Sequence, residues 1–169
     1  MDAELAELSV AVGDACRTRG LVVATAESCT GGWAAQVITH TAGSSAWFDR
    51  GFVTYANAAK VGMLGVPEDT LVRHGAVSPE IAGEMAIGAL KFSNALISLA
   101  ITGIAGPTGG SPDKPVGTVC FAWCMKDAAG RLSAPSCQRR LLPGDREAIR
   151  RAAVIHALTG LVALANSVP

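Results

Sequence analysis

The chain has 169 residues, of which 50% are apolar and 17% charged, and its 14 Lys and Arg side chains balance 14 Asp and Glu side chains. This length and composition predict one domain spanning residues 1–169 with a sizeable hydrophobic core, and they exclude intrinsic disorder. Zero net charge argues against nucleic-acid and membrane partners, because both require a basic excess to attract phosphate. Any anionic ligand must therefore be bound locally.

Cysteine usage and hydropathy predict a cytoplasmic protein. The five cysteines are an odd number without zinc-type spacing, which favours free thiols in a reducing compartment over a disulfide framework. The first residues lack the basic and apolar regions of a secretory signal. The apolar stretch 152–165 is shorter than the about 18 residues that a membrane helix requires, so we expect a buried helix there.

The first half of the chain is predicted to alternate helices and strands. Apolar residues at helical spacing indicate a first helix that ends near Gly20. Strands are predicted at residues 21–26 and 51–55, with a short helix between them. Asn57 is expected to cap the next helix, which carries Lys60.

The second half is predicted to end in a hairpin and a long helix. Ser78 and Pro79 are a strong helix start. The apolar run 95–101 has the length of a strand, and segments 116–124 and 132–142 are typical of an antiparallel hairpin. This order predicts an α/β fold: a three-layer α/β/α sandwich with a mixed, mostly parallel sheet and a C-terminal β-hairpin followed by a long helix.

A candidate nucleophile lies in the segment from Glu27 to Gly32, which leaves a predicted strand and enters a helix. Ser28 or Thr30 can simply cap that helix. Alternatively, N–H groups at the helix start, left bare by Gly31 and Gly32, can receive a phosphate or the oxyanion of an acyl-transfer intermediate. Cys29 is a rival nucleophile, because a thiolate is stabilised at a helix N-terminus.

A serine nucleophile needs a base, and a lysine whose pKa is lowered by burial can serve. Lys60 is the candidate, and Tyr55 precedes it by five residues, so the hydroxyl and the amine can face one cleft. The alternative is a solvated lysine on a helix and a half-buried aromatic residue on a strand.

The glycine-rich loop 102–111 is a candidate backbone cradle for an anion. It matches neither a Walker A loop nor a dinucleotide fingerprint, and the alternative is an ordinary surface loop. Arg146 follows the predicted N-cap Asp145 and can present its guanidinium to a phosphate or carboxylate, or be an ordinary surface residue. The three histidines are scattered and no CxxC occurs, so we expect no metal site.

Six ordered blocks carry a family resemblance: residues 25–32, 42–45, 50–55, 75–78, 102–107 and 114–117. Together they resemble the CinA C-terminal domain family, the nicotinamide mononucleotide deamidases, over residues 5–165. Many relatives carry an additional N-terminal molybdopterin-binding-like domain. This chain has no room for one and is similar to the stand-alone deamidases.

The resemblance implies an amidohydrolase that converts nicotinamide mononucleotide and water into nicotinate mononucleotide and ammonia, without cofactor or metal. By similarity, Ser28 is the nucleophile, Lys60 its base and Tyr55 a partner in proton transfer. The implied substrate-binding residues are Thr30, Gly31, Gly32, Ser45, Thr102, Gly103, Gly106 and Arg146. All of them except Arg146 lie in the six blocks.

The resemblance also implies a homo-oligomer, with a dimer favoured, in pyridine nucleotide recycling. Two alternatives remain open at this point. One is a non-catalytic nucleotide-binding module that uses the same glycine loops. The other is a Ser-Lys amidase that acts on another small amide.

Overall fold

The computed structural model describes residues 1–168 and contains a five-stranded sheet in the order β2-β1-β3-β4-β5. β1 pairs in parallel with β2 and β3, whereas β4 is antiparallel to both of its neighbours. The sheet is therefore mixed, and β4 and β5 form the predicted hairpin. The strands are β1 Val23–Glu27, β2 Phe48–Val53, β3 Ile97–Gly103, β4 Thr118–Met125 and β5 Ser136–Leu141.

Helices cover both faces of this sheet, which confirms the predicted three-layer α/β/α architecture. A short 3-10 turn, Ser44–Ala46, precedes β2. The α-helices are α1 Ala3–Arg19, α2 Trp33–Ile38, α3 Asn57–Leu64, α4 Glu68–His74, α5 Pro79–Lys91 and α6 Arg146–Ser167.

Two apolar cores form because successive strand residues point to opposite faces of the sheet. Val23 and Leu99 belong to the core under α1, α2 and α6. Ala24 and Ala100 belong to the core under α3 and α5. The apolar run in β3 is continuous because both faces of the strand are covered.

The last helix, α6, is long and apolar enough to cross a membrane by length and composition alone. In the structure one face of α6 packs on the sheet and on α1, and Ile149, Val154, Leu158 and Leu161 are among its buried residues. This packing is that of a core helix, and its N-cap is Asp145, as predicted.

Several predicted boundaries are wrong for local reasons. Ala56, not Asn57, is the N-cap of α3, and Asn57 is the first helical residue. β2 lies earlier than predicted, because Phe48 pairs with β1 and the chain leaves the strand after Val53. Helix α4 was not predicted, and none of its residues is fully buried. Its seven residues therefore carry only a weak apolar pattern.

The topology places three chain segments at one edge of the sheet. β1, β2 and β3 are parallel, so their carboxyl ends meet at the same edge. The turn 28–32, the segment 54–56 and the loop 104–117 leave from these ends. Open α/β sheets bind ligands in crevices of this kind.

Candidate active site

Ser28 and Lys60 lie in contact at the carboxyl end of the sheet. The Lys60 amine nitrogen is 3.1 Å from Ser28 Oγ, 2.9 Å from the Thr54 carbonyl oxygen and 3.3 Å from that of Tyr55. Lys60 is only 1% exposed and Ser28 8% exposed. The solvated-lysine alternative is therefore wrong, and the two residues form a buried hydroxyl–amine pair.

Strand pairing brings these residues together although they are 32 positions apart. Ser28 continues β1, and its N–H donates to the Ile101 carbonyl of β3 at 2.9 Å. On the other side, Thr54 N–H donates to the Glu27 carbonyl at 2.8 Å. Because the chain then turns directly into α3, the Lys60 side chain reaches back to the end of β1.

Burial lowers the pKa of Lys60, because desolvation disfavours the ammonium form. Among residues 1–168 no carboxylate forms an ion pair with Lys60 to oppose this effect. A neutral amine has two hydrogens and one lone pair. In that form the two hydrogens can bond the carbonyls of Thr54 and Tyr55 while the lone pair faces the Ser28 hydroxyl; in the ammonium form all three hydrogens can donate, one of them to Ser28 Oγ.

Cys29 is poorly suited to be the nucleophile. Its side chain is 5% exposed, and burial raises the pKa of its thiol to about 12. A cysteine nucleophile reacts as the thiolate, which this environment disfavours at neutral pH. The raised pKa of this thiol and the contact of Ser28 with Lys60 together favour Ser28.

The turn that carries Ser28 is organised around the fully buried carboxylate of Glu27. Glu27 Oε2 accepts hydrogen bonds from the Thr30 hydroxyl at 2.6 Å and from the N–H groups of Gly32 at 3.1 Å and Ala34 at 3.0 Å. Its Oε1 accepts from Ala35 N–H at 2.9 Å. The carboxylate thus satisfies the first N–H groups of α2, which would otherwise lack partners.

This arrangement corrects the expectation for Gly31 and Gly32. The Gly31 N–H donates to the Ser28 carbonyl at 3.0 Å, and the Gly32 N–H donates to Glu27. Both N–H groups are occupied, so neither is available to an incoming anion. Glu27 was missed as a site residue, although an acidic residue just before a Ser/Thr-Gly turn is a visible signal.

We expect Glu27→Gln to destabilise the fold and to lower activity. An amide presents its NH₂ group to at least one of four donors, and a buried donor without a partner costs about 1–3 kcal/mol. Thermal unfolding with a steady-state assay measures both effects. Glu7→Gln is the matched control, because Glu7 is exposed on α1. Equal melting temperatures for the two variants would contradict the role of Glu27.

A cleft of about 280 Å³, here called the inner cleft, opens beside Ser28 and Lys60. Thr102 and the loop from Gly103 to Gly109 form much of its wall. The Thr102 hydroxyl donates to the Ala76 carbonyl at 2.8 Å, which fixes the loop against the start of α5. The structure thus brings Thr102, Gly103 and Gly106 to this cleft, and their binding of substrate stays a prediction.

Arg146 bridges Tyr55 and the glycine loop at the mouth of the inner cleft. Its guanidinium donates to the Tyr55 hydroxyl oxygen at 3.0 Å and to the Gly106 carbonyl at 2.7 Å. Tyr55 therefore contacts Lys60 through its backbone carbonyl, whereas its phenol contacts Arg146. Tyr55 is 59% exposed, so the phenol forms an outer wall of the cleft.

An outer cleft of about 560 Å³ adjoins the inner one and shares Arg146 with it. Its lining includes Thr30, Gly31, Gly32 and Trp33, together with Arg150, which the sequence analysis did not single out. The residues of the turn 28–32 that do not line the inner cleft therefore line the outer one, on the side facing α6.

Ser45 lies away from both clefts. It belongs to the exposed 3-10 turn before β2, at the amino end of that strand. Because β2 is parallel to β1, this turn lies at the sheet edge opposite Ser28. Within the chain described by residues 1–168, Ser45 therefore does not line the site, which corrects the expectation drawn from the resemblance.

Comparison with known proteins gives consistent matches along almost the whole chain. The family model of the CinA C-terminal domain matches residues 5–165. The nicotinamide-nucleotide amidohydrolase PncC of Escherichia coli K12 is 56% identical over 160 residues, covering 95% of this chain and 94% of that protein. The Pseudomonas putida protein of the same name is 50% identical over 157 residues, covering 93% and 94%.

Solved structures agree with these sequence matches. The competence/damage inducible protein CihA from Agrobacterium tumefaciens superposes with a TM-score of 0.88 at 47% identity, and 97% of each chain is covered. The competence damage-inducible protein A of Klebsiella pneumoniae superposes with a TM-score of 0.89 at 37% identity, covering 98% and 99%. The resemblance in the six sequence blocks is confirmed: the chain belongs to the CinA C-terminal domain family.

Proposed function

We propose that this chain is an amidohydrolase that converts nicotinamide mononucleotide and water into nicotinate mononucleotide and ammonia. Relatives named nicotinamide-nucleotide amidohydrolase are 50–56% identical over at least 91% of their own length. The observation that carries the proposal is the 3.1 Å contact between the buried Lys60 amine and Ser28 Oγ. A pure binding module has no need of a buried base beside a hydroxyl.

In the proposed first step, neutral Lys60 takes the Ser28 proton while Ser28 Oγ attacks the carboxamide carbon. The tetrahedral intermediate collapses as its C–N bond breaks, and protonated Lys60 gives its proton to the amino group, which departs as ammonia. The product of this step is an ester between Ser28 and the carboxyl group of nicotinate mononucleotide, with the ribose phosphate still attached to the ring. A water molecule, deprotonated by Lys60, then hydrolyses the ester and restores the hydroxyl.

We assign the oxyanion to the backbone N–H groups of Cys29 and Thr30. Within residues 1–168 neither N–H donates a hydrogen bond to another residue, whereas those of Ser28, Gly31 and Gly32 all do. Thr30 is a buried residue, and a buried N–H without a protein partner is usually completed by ordered water or a ligand. Two such donors next to a nucleophile suit an oxyanion hole.

The remaining substrate contacts are assigned to Tyr55, Thr102, the glycine loop and Arg146. The N–H groups of Ala105 and Gly106 are not engaged within residues 1–168, and the Arg146 guanidinium lies beside them. These donors support a phosphate site at the mouth of the inner cleft. A substrate that carries both a pyridinium and a phosphate needs no excess of charge on the protein.

We also propose a homodimer that acts in the cytoplasm in pyridine nucleotide recycling.

The direct experiment measures ammonia release from nicotinamide mononucleotide by the purified protein. We expect turnover, with a higher kcat/KM for the nucleotide than for its riboside or free nicotinamide. Binding of the nucleotide in a calorimeter without consumption would instead indicate a non-catalytic module. Faster release of ammonia from an unrelated small amide would indicate another Ser-Lys amidase.

A further inference from the structure

The side chain of Arg150 projects from α6 onto the turn 28–32, which carries Ser28. Its Nε donates to the Cys29 carbonyl at 3.0 Å and its Nη2 donates to the Thr30 carbonyl at 3.1 Å. The guanidinium also lies 5.5 Å from the centre of the Trp33 ring. Among residues 1–168 no carboxylate pairs with Arg150, so its hydrogen-bonding partners are the two peptide carbonyls of this turn.

A peptide group is planar, and in the trans form its C=O and N–H point in opposite directions. The carbonyl of Cys29 and the N–H of Thr30 belong to the same peptide group. By holding that carbonyl towards α6, Arg150 directs the Thr30 N–H to the other side of the turn. This N–H is the buried donor that has no partner within residues 1–168.

The preceding peptide group is fixed in a different way. The Ser28 carbonyl accepts the Gly31 N–H at 3.0 Å, which orients the Cys29 N–H through the turn itself. The two proposed oxyanion donors are therefore oriented by separate contacts. The hydrogen bond between Ser28 and Gly31 orients the Cys29 N–H, whereas Arg150 orients the Thr30 N–H by binding the Cys29 carbonyl. Of these contacts, only that of Arg150 comes from a side chain outside the turn 28–32.

We propose that Arg150 is a positioning residue that keeps the Cys29–Thr30 peptide in the orientation needed to stabilise the oxyanion. This inference rests on the proposed Ser28 reaction and deepens it. Within residues 1–168 Arg150 forms no hydrogen bond with Ser28 or Lys60, so it acts through the backbone. Its removal lets the peptide rotate, so the hole is formed in only part of the molecules.

We expect Arg150→Gln to lower kcat for nicotinamide mononucleotide by roughly 10–100-fold with little change in KM, less than the ~10²–10³-fold cost of deleting an oxyanion donor. Arg150→Lys should lose less, because an ammonium still reaches one carbonyl. In Arg150→Ala, millimolar guanidinium chloride should restore part of kcat, and sodium chloride at equal ionic strength should not. Steady-state kinetics measures each effect.

The matched control is Arg151→Gln. Arg151 is the next residue on α6 and pairs with Asp2 and Glu4 on the protein surface. This variant loses ion pairs but should keep the wild-type kcat. Wild-type kcat in Arg150→Gln would overturn the inference. So would a rise in KM alone, which would make Arg150 a substrate-binding residue instead.

A second measurement separates this inference from the proposed reaction. If the wild-type protein releases no ammonia, the proposed function fails while the peptide orientation is still measurable. The backbone amide resonance of Thr30 should shift in Arg150→Gln and stay in place in Arg151→Gln. An unchanged Thr30 resonance in Arg150→Gln would show that the guanidinium does not orient this peptide.

Discussion

Ser28→Ala is expected to reduce the release of ammonia from nicotinamide mononucleotide by about 10⁴–10⁶-fold in kcat, as the loss of a serine nucleophile does in other hydrolases. The substrate should still bind, because the proposed phosphate and ring contacts come from other residues. Calorimetry with the variant measures this binding. Acid quenching of the wild-type reaction followed by mass spectrometry should detect the nicotinate mononucleotide ester on the peptide that contains Ser28.

Cys29→Ala is the control for this experiment. The thiol is buried and its pKa is raised to about 12, so its removal should leave most of the turnover in place. The opposite pattern, with activity kept in Ser28→Ala and lost in Cys29→Ala, would assign the attack to the cysteine. Retention of activity in both variants would indicate direct attack by water.

Lys60→Met is expected to abolish turnover and to change how stability depends on pH. Burial lowers the pKa of Lys60 in the folded state from its ordinary value of 10.5. At pH values between the folded-state pKa and 10.5, the folded state therefore binds fewer protons than the unfolded state. The stability of the wild type should therefore rise with pH across this window. Lys60→Met lacks this contribution, and its melting temperature relative to wild type should fall as pH rises towards 10.5.

The same lowered pKa sets the pH profile of the reaction. The base is the neutral amine, so kcat/KM of the wild type should increase as pH rises through the folded-state pKa of Lys60. Lys91→Met is the stability control, because Lys91 is exposed at the end of α5. An equal pH response of melting temperature in the Lys60 and Lys91 variants would contradict a desolvated amine at position 60.

Local sequence patterns were enough to predict the layered fold and to make Ser28 a candidate nucleophile beside its rival Cys29. The serine lies in a turn between a buried strand and a helix, and continuous apolar runs identify the central strands. The contact of Ser28 with Lys60 depends on the pairing of β1 with β2, which a sequence pattern does not specify. The family resemblance paired Lys60 with Ser28, and the structure shows that strand pairing brings the two residues together.

Other parts of the site were out of reach for physical reasons. Arg150 acts on backbone carbonyls 121 and 120 residues earlier in the chain, so it forms no local pattern with another side chain. The partner of the Tyr55 phenol is Arg146, which is 91 residues further along the chain. Ser45 falls inside a recognisable block, yet strand direction places it at the far edge of the sheet.

The position of β2 at the side of the sheet has a consequence for heat inactivation. Ser28 follows a central strand, whereas the carbonyls that hold Lys60 follow the outermost one. Outer strands detach at a lower free energy than the interior of a fold. A brief detachment of β2 would separate base from nucleophile while the rest of the sheet stays intact. We therefore expect activity to fall reversibly at a temperature below the melting temperature of the fold.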